Sequence, residues 1–466
     1  MSVGSAPVAS ARAITLNLIA MGLGSGLLTM PWGVAGASVL NSVLLLAIVL
    51  AMNFWTITIL VRACEQWQVF DLGSLLNKLP GRLGTCLQGL VNVTVWGSQL
   101  LVLIGYTTVI RDSSYDLMPE QTFLRNKWLL TFLTGVIMIP LSSLDQAYLS
   151  FTSTLAILAN TYLIMLLVAY IVVPDMQPDI GDEAVLEPRC FFSIGANSWS
   201  GIVCMFSLLM YTIIIQMAIP PMYKELAGRS PCKFQRCVLV AFLCLFVIFS
   251  TVMVGGYVTW GSKVNSNILN ALPTDMWGNA ARFGMVLCLV GCYPLNVKPM
   301  VAPCAREKHD EHVDFIESKT APLLQQPGAF ARQVSETFAR QVSETAPIES
   351  KPGAFARQVS VDAEGMRYDT SLPLCLIVAT STFLSLWATN LGSLNAMNGA
   401  IQVIGYCGLI PGAAGLYLLG SVTSKEQVAL WLLMGFATMI SVVGFFATDN
   451  NPEGMTTDCV LAMQSM

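Results

Sequence analysis

Long apolar runs separated by short polar segments fill the chain from residue 14 to residue 448. Runs of about 17–25 residues, the length of helix that crosses a bilayer core, fall at 14–35, 38–61, 86–110, 128–144, 149–173, 198–221, 235–259, 276–302, 372–392, 395–419 and 428–448. This pattern predicts an all-α integral membrane protein with eleven transmembrane helices and its two termini on opposite sides. The first run is unusual, because Met21 to Gly36 reads MGLGSGLLTMPWGVAG. An interior Gly costs about 1 kcal/mol against Ala and a Pro about 3 kcal/mol, so the helix should loosen where Gly24-Ser25-Gly26 meets Pro31. Loosened backbone at membrane depth is tolerated only against protein or a water-filled cavity. There, freed N–H and C=O groups and the positive end of a half-helix can hold the carboxylate and ammonium of a small zwitterion. Close helix packing is the competing reading of the glycines.

The sixth run mirrors the first. Ser198 to Pro221 carries Gly201, the polar and bulky residues Ser207, Tyr211, Thr212 and Gln216, and the pair Pro220-Pro221, read as a cytoplasmic helix end. Two interrupted spans five helices apart predict a 5+5 inverted repeat, with the eleventh helix an addition and the substrate at the midplane between the broken helices. The candidate substrate-binding residues are therefore Met21, Gly24, Ser25, Gly26 and Leu27 in the first span, and Ser207, Tyr211 and Thr212 in the sixth.

Composition agrees with the pattern. The 466 residues are 55% apolar and 11% charged, with a mean hydropathy of +0.64, against about 45–50% and about 25% in soluble domains. No separate signal peptide precedes the first span, which is expected to target the chain itself. Lys and Arg set the orientation. With the amino terminus inside, Arg12, Arg62, Lys78, Arg82, Lys224, Arg229, Lys233, Arg236 and Lys425 are internal. Arg111, Arg125, Lys127, Arg189, Lys263 and Arg282 are external, as the positive-inside rule requires. The expected organisation is a cytosolic tail at 1–13, helices one to eight at 14–304, a disordered repetitive cytosolic loop at 305–370, helices nine to eleven at 371–448, and an extracytosolic tail at 449–466.

Short segments carry a family resemblance. Gly24-Ser25-Gly26-Leu27-Leu28-Thr29-Met30-Pro31 resembles the first-helix signature of the amino acid/auxin permease family. Tyr106 to Asp112, YTTVIRD, resembles the third-helix pattern Tyr-x-x-x-Ile-Gly-Asp, with Arg111 in place of the glycine. Pro221-Met-Tyr-Lys-Glu-Leu226, Asn267-Ile-Leu-Asn-Ala-Leu-Pro273 and Cys292-Tyr-Pro-Leu-Asn296 with Pro299 follow in the family's order. The resemblance implies a leucine-transporter-like secondary transporter of amino acids or related small molecules, and it adds Tyr106 to the substrate-binding candidates. Many members carry a His in the sixth helix where this chain has Tyr211, so a His-dependent pH response is not carried over.

The span centres hold almost no ionisable groups, which leaves no obvious proton relay. Coupling then falls to Na⁺, held by carbonyls and hydroxyls beside Asn17 and the eighth span, to a proton carried elsewhere, or to neither. An interhelical hydrogen bond is the alternative role for Asn17; Asn160 and Tyr162 are weighed as residues lining the cavity from the fifth span, with packing the alternative. A channel would show charge rings or filter loops, and an intramembrane enzyme would need a general base or metal ligands in the spans. Neither pattern is visible, so no catalytic residue, metal or cofactor is assigned beyond the coupling ion. A transporter-like sensor without net flux is the alternative function. Plasma membrane and vacuolar or lysosomal membrane both fit. Of thirteen cysteines, Cys190 and Cys459 lie on the far side and could pair; the sequon Asn92-Val-Thr94 falls inside a span.

The long loop is polar and repetitive. FARQVSET occurs at Phe330 to Thr337 and again at Phe338 to Thr345, and a longer unit starting at Thr320 recurs at Thr345. Each copy places Arg three residues before a serine, at Ser335, Ser343 and Ser360. That spacing suits basophilic kinases, which makes a kinase or a phosphoserine-binding protein a candidate partner there. His309 and His312 read as part of a solvated charge run.

Overall fold

The computed structural model describes residues 9–123, 125–143, 150–173, 176, 189–317, 372–420, 422–447 and 459–463. Ser335, Ser343 and Ser360 lie outside the described residues, as does most of the long loop. The first span is α1 (Ala11–Gly22), a 3₁₀ turn (Ser25–Thr29) and α2 (Met30–Ala37), with a bend of 43° at the break. Then come α3 (Val39–Trp67), α4 (Leu72–Leu76), α5 (Leu83–Leu117), α6 (Lys127–Ser142), α7 (Ser150–Val172) and strand β1 (Arg189–Ser193). The sixth span is α8 (Ala196–Ile213), a 3₁₀ turn (Gln216–Ala218) and α9 (Ile219–Glu225). After it follow α10 (Pro231–Trp260), α11 (Ile268–Ala271), α12 (Met276–Glu317) and α13 (Leu372–Ser385). The tenth span is α14 (Leu391–Gln402), a π-helix (Val403–Leu409) and α15 (Ile410–Leu418), and α16 (Ser424–Phe446) and β2 (Cys459–Met463) complete the chain.

Among the described residues, eight helices are long and apolar enough to cross a membrane, or nine if the bent first pair counts as one span. At the expected fourth and ninth spans, α6 and α13 are apolar but have only 16 and 14 residues. At 1.5 Å per residue they reach about 24 and 21 Å, short of the roughly 30 Å hydrocarbon core. By length and composition, then, eight or nine of the eleven expected spans are long enough among the described residues. The helix α12 runs to Glu317, past the loop start expected at residue 305.

Burial sorts the helices. The apolar windows of the sixth span, the tenth span and α5 are 72%, 67% and 61% buried, whereas those of α7 and α16 are 33% and 28% buried. The former make the centre of the bundle and the latter its rim, where Val442, Phe446, Met165 and Val172 are exposed. The central helices meet closely because glycine faces backbone. A Cβ on Gly201 of α8 would collide with the carbonyl of Gly36 in α2, and one on Gly399 of α14 with the carbonyl of Ser207 in α8. Small residues at such crossings let helices approach and gain dispersion contacts, which drive association in lipid.

Two features tie the ends of the bundle. Ala9 N–H donates to the Glu225 carbonyl (2.8 Å) and the Ala227 N–H to the Ala9 carbonyl (2.9 Å), so the amino-terminal segment sits beside the exit of α9 and the start of α10. The strands β1 and β2 form an antiparallel pair, an addition to the all-helical expectation, and Cys190 is disulfide-bonded to Cys459. This pair docks at the far end of α10, where Tyr257 OH accepts from the Cys190 N–H (2.9 Å) and the Val258 carbonyl accepts from Arg189 (3.2 Å). The 30 residues of α10 extend about 45 Å, so Ala9 and β2 lie at opposite ends of the bundle.

Candidate functional site

The break in the first span follows from its residues. The 3₁₀ turn begins at Ser25 after Gly24, whose backbone is extended (φ −119°, ψ −168°). Pro31 lies in the first turn of α2, where its missing N–H leaves no donor unsatisfied. The break thus brings the carbonyl-bearing end of α1 and the amide-bearing start of the next turn to one place. Being first in a helical turn, the Ser25 and Gly26 N–H groups have no upstream carbonyl within it.

The sixth span breaks at Ile214 to Ala218, directly ahead of the prolines. Pro220 and Pro221 open α9, which corrects their reading as a cytoplasmic helix end. Proline suits a first helical turn for the same reason as Pro31. The break is held from α3 by Gln216, whose Nε2 donates to Asn53 Oδ1 and to Thr56 Oγ1 (3.2 Å).

A cavity of about 180 Å³ opens beside the first break, between α1, α5, α7 and α12. Met21, Gly24, Ser25, Tyr106 and Asn17, all expected from the sequence, line it. A Cβ built on Gly24 meets nothing within 4 Å, so this glycine borders open space. Asn160 and Asn296 also line the cavity. Asn160 is buried, its Nδ2 donates to the Ala156 carbonyl (2.8 Å), and its Oδ1 has no partner. Tyr162, weighed beside it, instead donates to the Trp277 carbonyl (3.1 Å) at the surface.

The other expected residues face elsewhere. Tyr211 reaches the site indirectly, with its hydroxyl 2.8 Å from Ser25 Oγ. Gly26 packs on Thr212: an added Cβ would collide with Thr212 Oγ1 and lie 3.0 Å from its Cβ. Thr212 Oγ1 donates to the Leu208 carbonyl (2.9 Å), so both residues belong to the contact between the two broken spans. Ser207 lies against α16, where its Oγ would lie 2.6 Å from a Cβ on Gly444. Leu27 is fully buried in the core.

Asn296, Cys288 and Cys292 of α12 complete the wall opposite α1. Of these Cys292 and Asn296 carried a sequence signal, as the two ends of the Cys292-to-Asn296 segment. Among the described residues, no Asp, Glu, Lys, Arg or His lines the cavity. A zwitterion there would be met by helix ends, amide groups and hydroxyls. The buried charges lie at the helix ends instead. Arg111 donates to Asp112 Oδ1 (2.9 Å) and to the carbonyls of Ser385 (2.8 Å) and Ala388 (3.4 Å), which fastens α5 to the end of α13. Arg282 donates to the Pro273 carbonyl (2.9 Å) and lies 3.6 Å from Asp116.

Residues 7–448 match the family described as transmembrane amino acid transporter protein. The chain belongs to this family. Among its relatives is the sodium-coupled neutral amino acid symporter 2 of Danio rerio, 23% identical over 304 residues that cover 60% of this chain and 58% of that protein. The vacuolar amino acid transporter 7 of Saccharomyces cerevisiae is 23% identical over 295 residues, covering 62% of this chain and 58% of that protein. The matched region thus spans less than two thirds of either relative. A crystal structure of MhsT in complex with L-phenylalanine superposes with a TM-score of 0.46 at 14% identity, covering 96% of this chain and 100% of that one.

Proposed function

We propose that this member of the amino acid transporter family is a secondary active carrier of neutral amino acids that works by alternating access. The observation that carries the reading is the uncharged cavity of about 180 Å³ at the broken first span, larger than the roughly 150 Å³ that holds a benzene-sized guest. The substrate carboxylate meets the free amides at Ser25 and Gly26, and the ammonium meets the carbonyl end of α1 and the amide oxygens of Asn17 and Asn160. Each pole of a zwitterion then faces the helix end of opposite sign. A cationic or anionic side chain would enter without a counter-charge, and burying an unpaired charge is strongly unfavourable.

Coupling to Na⁺ is part of the proposal. The printed name of the Danio rerio relative says that it is sodium-coupled, and Asn17 faces α12 across the cavity. The breaks in the first and sixth spans, together with the rim position of α16, support a leucine-transporter-like 5+5 repeat of eleven spans with one helix added. The Lys and Arg bias supports a cytosolic amino terminus and a cytosolic 305–370 loop. The relative named as a vacuolar transporter supports a vacuolar membrane address, with the plasma membrane as the alternative.

Uptake of labelled alanine by proteoliposomes holding the purified full chain tests the reading, with and without an inward Na⁺ gradient. Saturable uptake that the gradient drives uphill is the expected result. Alanine binding without flux would leave a sensor in place of a carrier, and flux indifferent to Na⁺ would remove the coupling ion.

A further inference from the structure

The wall of the cavity at the first break carries a pair of nucleophiles that amino acid binding does not use. Cys288 and Cys292, one helical turn apart on α12, both line it. Cys288 is buried at 3% exposure, and the two side chains are close enough for one thiol to donate to the other. Tyr106 of α5 interacts with both sulfurs from across the cavity. Both cysteines are free. An i, i+4 pair on a helix holds its Cβ atoms about 5–6 Å apart, beyond the roughly 3.5–4.5 Å that a disulfide requires. The pair therefore stays a dithiol unless the helix is distorted.

Among the described residues, no group of three or more His, Cys, Asp or Glu side chains is placed to hold a metal ion, so the four-ligand tetrahedral site of Zn²⁺ has no counterpart there. Two thiols suit a soft cation that two sulfur ligands satisfy, and thiolate selects Cu(I) where carbonyls and hydroxyls select hard ions. The spacing agrees. Helical side chains lean toward the amino end of their helix, so the two sulfurs project in parallel. With the roughly 2.3 Å of a zinc–sulfur bond as guide, a linear S–Cu–S unit spans about 4.6 Å, which a Cβ spacing of about 5–6 Å permits. Binding breaks two S–H bonds, forms two Cu–S bonds and sends two protons to solvent, with no electron transferred. The loaded pair carries one net negative charge. Among the described residues no cationic side chain lines the cavity to offset it, which leaves the free amides at Ser25 and Gly26, the same groups a substrate carboxylate would use.

We propose that Cys288 and Cys292 form a dithiol site for a two-coordinate soft cation of the Cu(I) class, and that the loaded site excludes the amino acid. The exclusion rests on this cavity being the transport site; the metal site itself does not. The ion takes up part of the cavity of about 180 Å³, and its negative dithiolate unit competes with a carboxylate for the amides of the first break.

The test titrates the purified full chain with Cu(I), kept reduced by ascorbate, against a chromophoric Cu(I) chelator that reports the metal left unbound. The unaltered chain is expected to hold one Cu(I) more than Cys288→Ser or Cys292→Ser, and the double variant should lose the same single equivalent. The other free cysteines are common to all of these proteins and cancel in the difference. Equal stoichiometry throughout, or a loss in only one of the single variants, would overturn the dithiol site. Saturating alanine should weaken Cu(I) binding to the unaltered chain about tenfold, a reading that needs no variant. Uptake of labelled alanine into proteoliposomes then tests the exclusion. Cu(I) should raise the apparent KM about tenfold with little change in kcat, and each variant, compared with its own metal-free uptake, should lose that response. A constant KM with Cu(I) bound at the pair, or Cu(I) binding indifferent to alanine in a chain that carries alanine, would overturn the exclusion. If no amino acid is carried, the transport reading fails, and the stoichiometry still decides whether the dithiol site exists.

Discussion

The substitution Gly26→Ala separates two roles for the glycine at the broken first span, since a cavity-lining glycine and a packing glycine respond differently. The added methyl would collide with Thr212 Oγ1 and sit 3.0 and 3.1 Å from Thr212 Cβ and Cγ2. Thr212 has little freedom to yield, because its Oγ1 is engaged by the Leu208 carbonyl and a β-branched residue in a helix has a restricted χ1. Overpacking of this kind costs about 1–3 kcal/mol, which at about 1.4 kcal/mol per decade lowers the folded-to-unfolded ratio by roughly 5- to 150-fold. Thr212→Ala removes Oγ1 and Cγ2 and leaves only the Cβ contact, so the double variant should recover about 1–2 kcal/mol as a coupling energy. The assay is thermal unfolding of the purified protein in detergent, alongside alanine uptake. Gly26→Ala should lower the Tm and the amount of functional protein, and Gly26→Ala with Thr212→Ala should restore both together with the apparent affinity. A normal Tm with a lost affinity that Thr212→Ala fails to restore would show that Gly26 faces the substrate and that the packing account is wrong.

Tyr211→Phe removes the hydroxyl 2.8 Å from Ser25 Oγ; a lost neutral hydrogen bond of about 0.5–1.5 kcal/mol should lower alanine kcat/KM roughly 2- to 12-fold. Ser25→Ala added to it should cost less than the two singles combined, as a double-mutant cycle of uptake rates would show. Arg111→Met leaves Asp112 with Lys127 at 3.6 Å as its remaining cation and frees the Ser385 and Ala388 carbonyls, so a loss of about 3–5 kcal/mol is expected. Thermal unfolding checks this, and the double change with Asp112→Asn should be milder than Arg111→Met alone. We also propose that the loop acts through phosphorylation of Ser335, Ser343 and Ser360, each adding about −1.5 to −2 charges. Deleting 318–362 should leave alanine affinity unchanged while altering surface abundance by microscopy, and a large affinity change would show that the loop packs on the helices.

The chain alone determined where apolar helices lie and where the first one breaks, because both are local consequences of side-chain chemistry. Twenty apolar residues must be helical in lipid to satisfy their own backbone, and Gly24-Ser25-Gly26 ahead of Pro31 cannot stay regular. The family was legible for a similar reason, since its signatures are short contiguous segments. An interruption of the sixth span was also expected, but its place at Ile214 to Ala218 was not legible. Ile213, Ile214 and Ile215 hold no glycine or proline, and the interruption there is stabilised from α3, by Asn53 and Thr56 on Gln216. Nor could the order of residues tell that Ser207 faces Gly444 while Tyr211 faces Ser25, or that Asn160 and Asn296 share a cavity with Asn17. The bond between Cys190 and Cys459 joins positions 269 apart, and Arg111 reaches carbonyls in a different span. Helix formation depends on neighbours within about four residues. The rotation of each helix about its axis depends on what packs against it, and that belongs to the tertiary structure.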